Sequence, residues 1–291
     1  MPMRVLLATD GSGEALAATE WLLTFPLPKS AAVRVLTVAA LPVMLPPDAS
    51  AGELRRRLLE RARLIASEAR EVLVNRWPTV EAQAREGDPR EEIVREAEDL
   101  AADLVVVGAR GLAPLKRALL GSVSTSVVHH GPGPALVVKG RRRGLRMVLL
   151  AVDGSADSLR AASFVAALPL DRGLRLRLLA VVEPPAFATG PEIGALPPVD
   201  EVLRDWQAEA ERSLKRVEAD FKEKVAAVEG RVVVGRPGEQ IVTAANDPEV
   251  DLVVVGARGL GAFKRLLLGS VSEYVLHHAA CPVLVVRGGE R

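Results

Sequence analysis

Cysteine is almost missing: the 291 residues hold one, Cys281. A single thiol excludes an intrachain disulfide framework and suits a reducing compartment. Aromatics are scarce too, at 5 Phe, 3 Trp and 1 Tyr. That leaves few platforms for stacked bases and argues against single-strand nucleic-acid binding. An excess of one charge is also lacking, with 38 basic against 37 acidic residues for a net charge of +1. No whole-protein field therefore favours nucleic acid or a membrane surface. No apolar run approaches a membrane span, and the start, Met1-Pro2-Met3 followed at once by Val5 to Ala8, lacks the long apolar region of a signal peptide. The expectation is a cytoplasmic protein with neither nucleic-acid nor membrane partner. Scarce Cys, abundant Arg and Glu and 20 prolines suit a heat-tolerant protein and a GC-rich genome equally well.

What the chain does have is itself, twice. Laying residues 102–140 over 250–288 without a gap matches 26 of 39 positions. The starts correspond as well: Val5-Leu6-Leu7-Ala8-Thr9-Asp10-Gly11-Ser12 lies over Val148-Leu149-Leu150-Ala151-Val152-Asp153-Gly154-Ser155. The period is far too long for a solenoid unit, so two fused copies are expected. The expected domains are residues 1–140 and 145–291, joined by an exposed linker at 141–144 whose three arginines cannot all be buried.

Within each copy, short β-branched runs alternate with longer helical patterns. Arg4 to Thr9, Val33 to Ala39, Val80 to Ala84, Leu104 to Val107 and Ala135 to Val138 read as strands, with counterparts starting near Met147, Leu174, Arg231, Leu252 and Val283. Glu14 to Leu23, Glu53 to Arg76, Arg90 to Ala101 and Val123 to His130 read as helices. This alternation implies a parallel sheet with right-handed crossovers, covered by helices on both faces. The fold class is α/β, two tandem doubly wound domains of five strands each. In such a sheet the ligand crevice lies beyond the carboxyl ends of the strands, where strand order reverses.

The loops at those ends carry the chemistry. Strand four leads into Gly108-Ala109-Arg110-Gly111, and Gly121-Ser122-Val123-Ser124 opens the next helix; the second copy repeats both as Gly256-Ala257-Arg258-Gly259 and Gly269-Ser270-Val271-Ser272. Glycines at a strand's end and a helix's start let backbone N–H groups approach an anion, and the helix dipole adds positive character. Phosphate is the natural occupant. The hydroxyls of Ser122 and Ser124 are candidates both to donate to phosphate oxygens and to cap the helix. A single Gly-x-x-Gly is more simply a tight turn; two complete copies favour a site. Neither the Walker sequence nor the dinucleotide glycine fingerprint is present.

Gly108-x2-Gly111-x9-Gly121-Ser122, with Asp-Gly-Ser after strand one and a Pro-hydrophobic-Leu-Val-Val last strand, resembles the ATP-binding signature of universal stress proteins over nearly the whole of both halves. The resemblance implies an adenine nucleotide α-hydrolase-like fold with one ATP per half, any Mg²⁺ being held through the phosphates. It places Asp10 and Asp153, with Ala8 and Ala151 beside them, against the adenosine, and Val38 and Val181 against adenine through backbone groups. The glycine loops and Gly-Ser helix starts then hold ribose and phosphates. It further implies that the halves pair as an intramolecular pseudo-dimer through their last strands, Ala135 to Val138 and Val283 to Val286, which would otherwise be exposed edges. Association into a homodimer of chains is left open, as is the protein partner.

Other residues have plain readings beside sharper ones. Asp-Gly-Ser is also a common turn composition. Arg110 and Arg258 sit inside the glycine loops, and Lys116-Arg117 and Lys264-Arg265 border them; phosphate contact and a solvated charge are both open. His129-His130 and His277-His278 point about 100° apart on a helix and have no Cys or carboxylate cluster beside them, so no metal site is expected. Cys281 is replaced by Gly133 in the other copy and reads as a structural thiol. The loops from Leu41 to Gly52 and Pro184 to Asp200 are candidate lids whose sequences differ between copies. The function expected is an ATP-binding regulatory or stress-response protein, with no catalytic residue assigned. The alternative, a slow ATPase or nucleotidyl-transfer enzyme, lacks a Walker acid, a metal-holding carboxylate cluster and an evident base.

Overall fold

The computed structural model describes residues 2–41, 49–112, 120–140, 144–184, 199–260 and 267–288. The arginines of the linker, both Lys-Arg pairs and most of the two candidate lids lie outside them. The chain divides into two compact units, the first ending at Gly144 and the second running from Leu145 to Gly288.

The first unit runs β1 (Arg4–Ala8), α1 (Gly13–Leu22), β2 (Ala32–Ala39), α2 (Ala49–Leu73), β3 (Thr79–Glu86), α3 (Pro89–Asp99), β4 (Leu104–Gly108), α4 (Ser122–His130) and β5 (Ala135–Val138). Its strands lie in the order β3-β2-β1-β4-β5, every pairing parallel. The second unit repeats this with β6 (Met147–Ala151), α5 (Ala156–Ala167), β7 (Arg175–Val182), α6 (Val199–Ala219), β8 (Ala227–Val234), α7 (Pro237–Ala245), β9 (Leu252–Gly256), α8 (Ser270–His278) and β10 (Val283–Val286). Its order is β8-β7-β6-β9-β10, again all parallel. Strand order reverses between β1 and β4 and between β6 and β9, so each unit has its crevice at those carboxyl ends.

The central strands are buried because they carry apolar side chains on both faces. Val5 to Ala8 and Leu104 to Val107 are all buried, as are Val148 to Leu150 and Leu252 to Val255. Helices close over them: Trp21, Leu22 and Leu73 in the first unit, Ala161, Leu214 and Val217 in the second. Two carboxylates fasten the amino ends. Asp103 accepts from the Arg4 N–H at 2.8 Å, and Asp251 accepts from Arg146 and Met147 N–H at 2.8 and 3.0 Å.

Element bounds fall within a few residues of those expected, with one informative difference. β8 begins at Ala227, four residues before Arg231. It is the outer strand beside β7, most of its residues are exposed, and Glu229 and Gly230 interrupt the apolar pattern.

Candidate functional site

In the second unit three segments converge on the crevice: the turn from β6 to α5, the glycine loop after β9 and the first turn of α8. They surround a cavity of about 530 Å³. Its wall includes Ala151, Asp153, Val181, Gly256, Arg258, Gly259, Gly269, Ser270, Val271 and Ser272, the residues singled out in the sequence. Ala257 stands behind it, buried, its carbonyl accepting from the Gly269 N–H at 2.8 Å. Residues the sequence did not single out complete the wall, among them Leu179, Glu183, Pro237 and Ile241. Pro237 and Ile241 belong to α7; the clue available was that α7 also starts at a strand's carboxyl end.

The aspartate at each first turn braces the loop. Asp153 Oδ1 accepts from the Ser155 N–H at 2.9 Å and its Oδ2 from the Leu260 N–H at 3.2 Å. Asp10 repeats this with Ser12 and Leu112, both at 3.0 Å. The Asx-turn reading therefore holds, and the same carboxylate ties the first loop to the glycine loop. The following glycines, Gly11 at φ +74° and Gly154 at φ +80°, occupy the left-handed region such a turn needs. Gly259 has no room for a Cβ, which would lie 2.6 Å from Asp153 Oδ2; a Cβ on Gly111 would collide with Asp10 Oδ2.

The helix starts differ from the expectation that serine hydroxyls cap them. Gly121 and Gly269 are the N-caps of α4 and α8, and neither helix has a side-chain cap. Ser124 and Ser272 are buried and donate inward, to Ala109 and Gly121 carbonyls both at 2.9 Å and to Ala257 and Gly269 carbonyls at 2.7 and 3.0 Å. A hydroxyl has one proton, so these two are engaged with backbone oxygen. Ser122 and Ser270 sit one position into the helix and are exposed. By contrast α1 and α5 are capped by Ser12 and Ser155, which accept from Ala15 and Ser158 N–H at 3.3 and 3.2 Å. The first-turn amides of α4 and α8 are thus offered without a capping side chain, as an anion site requires. Built onto Gly269, a Cβ would point at the Ala257 carbonyl oxygen, 3.3 Å away, and at Ser272; on Gly121 it would meet Ala109 O at 3.2 Å. These glycines serve close packing of loop on helix as well as access.

Both loop arginines are paired. Arg110 Nη2 donates to Glu14 at 2.8 Å; Arg258 Nε donates to Asp157 Oδ2 at 3.3 Å, and Arg160 donates to Asp157 Oδ1 at 2.7 Å. Asp157 is 3 % exposed. A carboxylate in the first turn of α1 or α5 therefore faces the cation beside each glycine loop. Arg287, beyond β10, is pushed below its ordinary value, chiefly by burial and then by Arg258, with Asp157 opposing.

Ala8 is buried at the end of β1, and Val38 is half-buried on β2 as Val181 is on β7. Cys281 is buried. Among the described residues no three His, Cys, Asp or Glu side chains group so as to hold a metal ion, and no helix is long and apolar enough to cross a membrane.

The site is thus a glycine-lined crevice at the switch point of a doubly wound α/β sheet in the second unit, with the same loop bonds repeated in the first. Its family is established by comparison: the model of the universal stress protein family matches residues 1–139 and again 144–287, and the chain belongs to that family. It is 31 % identical to a universal stress protein of Mycolicibacterium smegmatis, covering 97 % of this chain and 96 % of that one. A universal stress protein of Mycobacterium bovis is 32 % identical over the same shares. The crystal structure of a universal stress protein from Archaeoglobus fulgidus shares the fold, with a TM-score of 0.67 at 24 % identity and 98 % of both chains covered.

Proposed function

We propose that each half binds one ATP in its crevice and that the protein acts as a regulatory, stress-response nucleotide binder in the cytoplasm. The observation that carries this is the cavity of about 530 Å³ in the second unit, where the uncapped first turn of α8, the glycine loop and Asp153 share one wall. Its volume lies within the roughly 300–1,000 Å³ usual for small-molecule sites. The first unit repeats the same loop bonds through Asp10, Ser12 and Ser124.

The residues supply holding rather than reaction. Amides of a helix start and glycine loop stabilise bound phosphate in the ground state and in the transition state about alike, and uniform binding does not accelerate chemistry. Asp153 is committed to two N–H groups and Asp157 to two arginines, so neither is disposed as a metal-holding carboxylate; Mg²⁺ would be carried by the phosphates. Transfer would need a positioned nucleophile and charge aimed at the leaving group.

Calorimetric titration with Mg²⁺-ATP tests the reading. Two sites per chain are expected; a stoichiometry of zero overturns it, and one site would confine it to a single half. A single-turnover rate near the roughly 1–100 per second of kinases would replace binder with enzyme. From the sequence we also carry forward the pairing of the halves through their last strands, tested by mixing separately expressed halves and looking for a complex by size-exclusion chromatography.

A further inference from the structure

A second cavity, of about 600 Å³, lies in the second unit on the α6 side of the β6–α5 turn. It is separate from the crevice but shares Val152, Asp153, Val181, Glu183 and Leu260 with it as a common wall. Three large apolar side chains left exposed in this unit line it: Trp206 at 44 %, Leu159 at 43 % and Leu260 at 76 %. Clustered exposed apolar surface around a concavity marks a contact site.

The duplication shows how this space arises. In the first unit Ile65 of α2 packs on the turn glycine, its Cδ1 lying 3.3 Å from where a Gly11 Cβ would be. In the second unit the corresponding glycine, Gly154, faces Ser213 of α6 instead, with Oγ at 3.7 Å. A branched apolar side chain has become a small hydroxyl, which opens room beneath the helix. Two turns earlier on the same face α2 has Leu58 where α6 has Trp206, so the hollow is roofed by an indole. The rim carries Glu183, Glu209 and Arg216, and Arg216 is paired with Glu209 at 3.3 Å. Among the described residues Glu183 has no hydrogen bond or ion pair.

We infer that this cavity is a second binding site, specific to the second unit, for a planar aromatic molecule bearing a cationic amine. The ring stacks on Trp206 over the space that Ser213 leaves, and the ammonium faces Glu183. The aromatic part of the inference does not rest on nucleotide binding, because Trp206 and Ser213 line this cavity and not the crevice, whereas Glu183 lines both.

Tryptamine, indole and indole-3-acetate, titrated calorimetrically into the full chain, test it. Tryptamine should bind once per chain, more tightly than indole, and indole-3-acetate most weakly. Ser213→Ile, which restores the side chain of the first unit, should abolish tryptamine binding without lowering the melting temperature. Trp206→Ala, on a half-exposed helix position, should weaken it about three- to tenfold, the worth of one aromatic partner. Glu183→Gln should bring tryptamine down to the affinity of indole. Absence of tryptamine binding at millimolar concentration overturns the inference. So does equal affinity for the acidic analogue, or indifference to both Ser213→Ile and Trp206→Ala.

Discussion

Gly256→Ala tests the packing that frames the crevice. A Cβ at Gly256 would lie 2.6 Å from the Asp157 carbonyl carbon and the Ser158 nitrogen and 3.0 Å from the Asp157 oxygen. Favourable carbon contacts sit near 3.5–4.0 Å, so the first turn of α5 would have to retreat by about 1 Å. All three atoms are backbone, so no rotamer change relieves the overlap. Nor is that turn free to move: Ser155 donates to the Arg258 carbonyl at 3.1 Å, and Asp157 is held by Arg160 and Arg258.

Overpacking a close-fitted site costs about 1–3 kcal/mol, and a backbone clash belongs at the upper end, about 2–3 kcal/mol. Loss of glycine's freedom in the unfolded chain returns about 0.4–1 kcal/mol. The net cost is about 1–3 kcal/mol, which for a unit of this size lowers its melting temperature by about 2–12 °C. Differential scanning calorimetry of the full chain reads this as an earlier transition of the second unit alone. Gly269→Ala is the contrast, since the nearest atoms to its Cβ would be the Ala257 oxygen at 3.3 Å and the Arg258 Cα and Ser272 Oγ at 3.5 Å. That variant should melt within a few degrees of wild type. A Gly256→Ala protein that melts with wild type, or a Gly269→Ala protein that falls as far, refutes the argument that backbone proximity governs the cost.

Asp153→Asn keeps the shape of the brace but leaves one of its two N–H donors facing an amide NH₂; it should cost about 1 kcal/mol and weaken ATP at one of two calorimetric sites, and two unaltered sites would refute the bracing role. Glu96, with no exposed surface, bonds Arg34 at 2.7 Å and also Arg85, and Arg34 is held above its ordinary value chiefly by that bond. Glu96→Ala leaves these part-exposed arginines with Glu81, Glu92 and Asp99, so we expect about 2 kcal/mol lost in urea unfolding rather than the 3–5 of a fully buried pair; unchanged stability would refute it. Asp88 caps α3 by accepting from the Arg90 N–H at 2.9 Å, and its carboxyl is held below the usual value first by the Arg90 side chain and then by that N–H. A depressed carboxyl stabilises above its unfolded value and stops doing so as pH falls through the folded one. Asp88→Ala should therefore cost about 1 kcal/mol at pH 7, with the gap to wild type closing below about pH 4; a gap that persists in acid would show that charge is irrelevant there.

The fold was legible because the duplication supplied two independent readings of one pattern. Leu104-Val105-Val106-Val107 and its copy mark buried central strands without ambiguity, and the alternation of strands and helices fixed parallel order. What blurred was β8, whose outer position allows Glu229 and Gly230 into the strand and removes the apolar signal at its start. Sequence periodicity reports burial, and an outer strand is only half buried.

At the site, the glycine spacing located the crevice, but not what each side chain does within it. For Arg110 and Arg258 phosphate contact and a solvated charge were both open, because their partners, Glu14 and Asp157, lie about a hundred residues earlier, in a helix whose first turn comes alongside only when the sheet forms. Ser124 and Ser272 looked like phosphate donors because the Gly-x-Ser pattern gives no sign that the third residue of the helix points back at the loop carbonyls. Both differences act in one direction. They commit the loop arginines to carboxylates and the Ser124 and Ser272 hydroxyls to carbonyl oxygens, while Ser270 and the uncapped first turn of α8 still line the crevice. Such a cradle needs glycine more than it needs any particular polar residue. The packing distances at Gly108, Gly111, Gly256 and Gly259 show the same demand from the protein side. A cradle braced by its own Asp-Gly turn can drift in the side chains around it without losing its shape. The exchange of Ile65 for Ser213 beside an unchanged Asp-Gly-Ser turn is that drift caught within one chain.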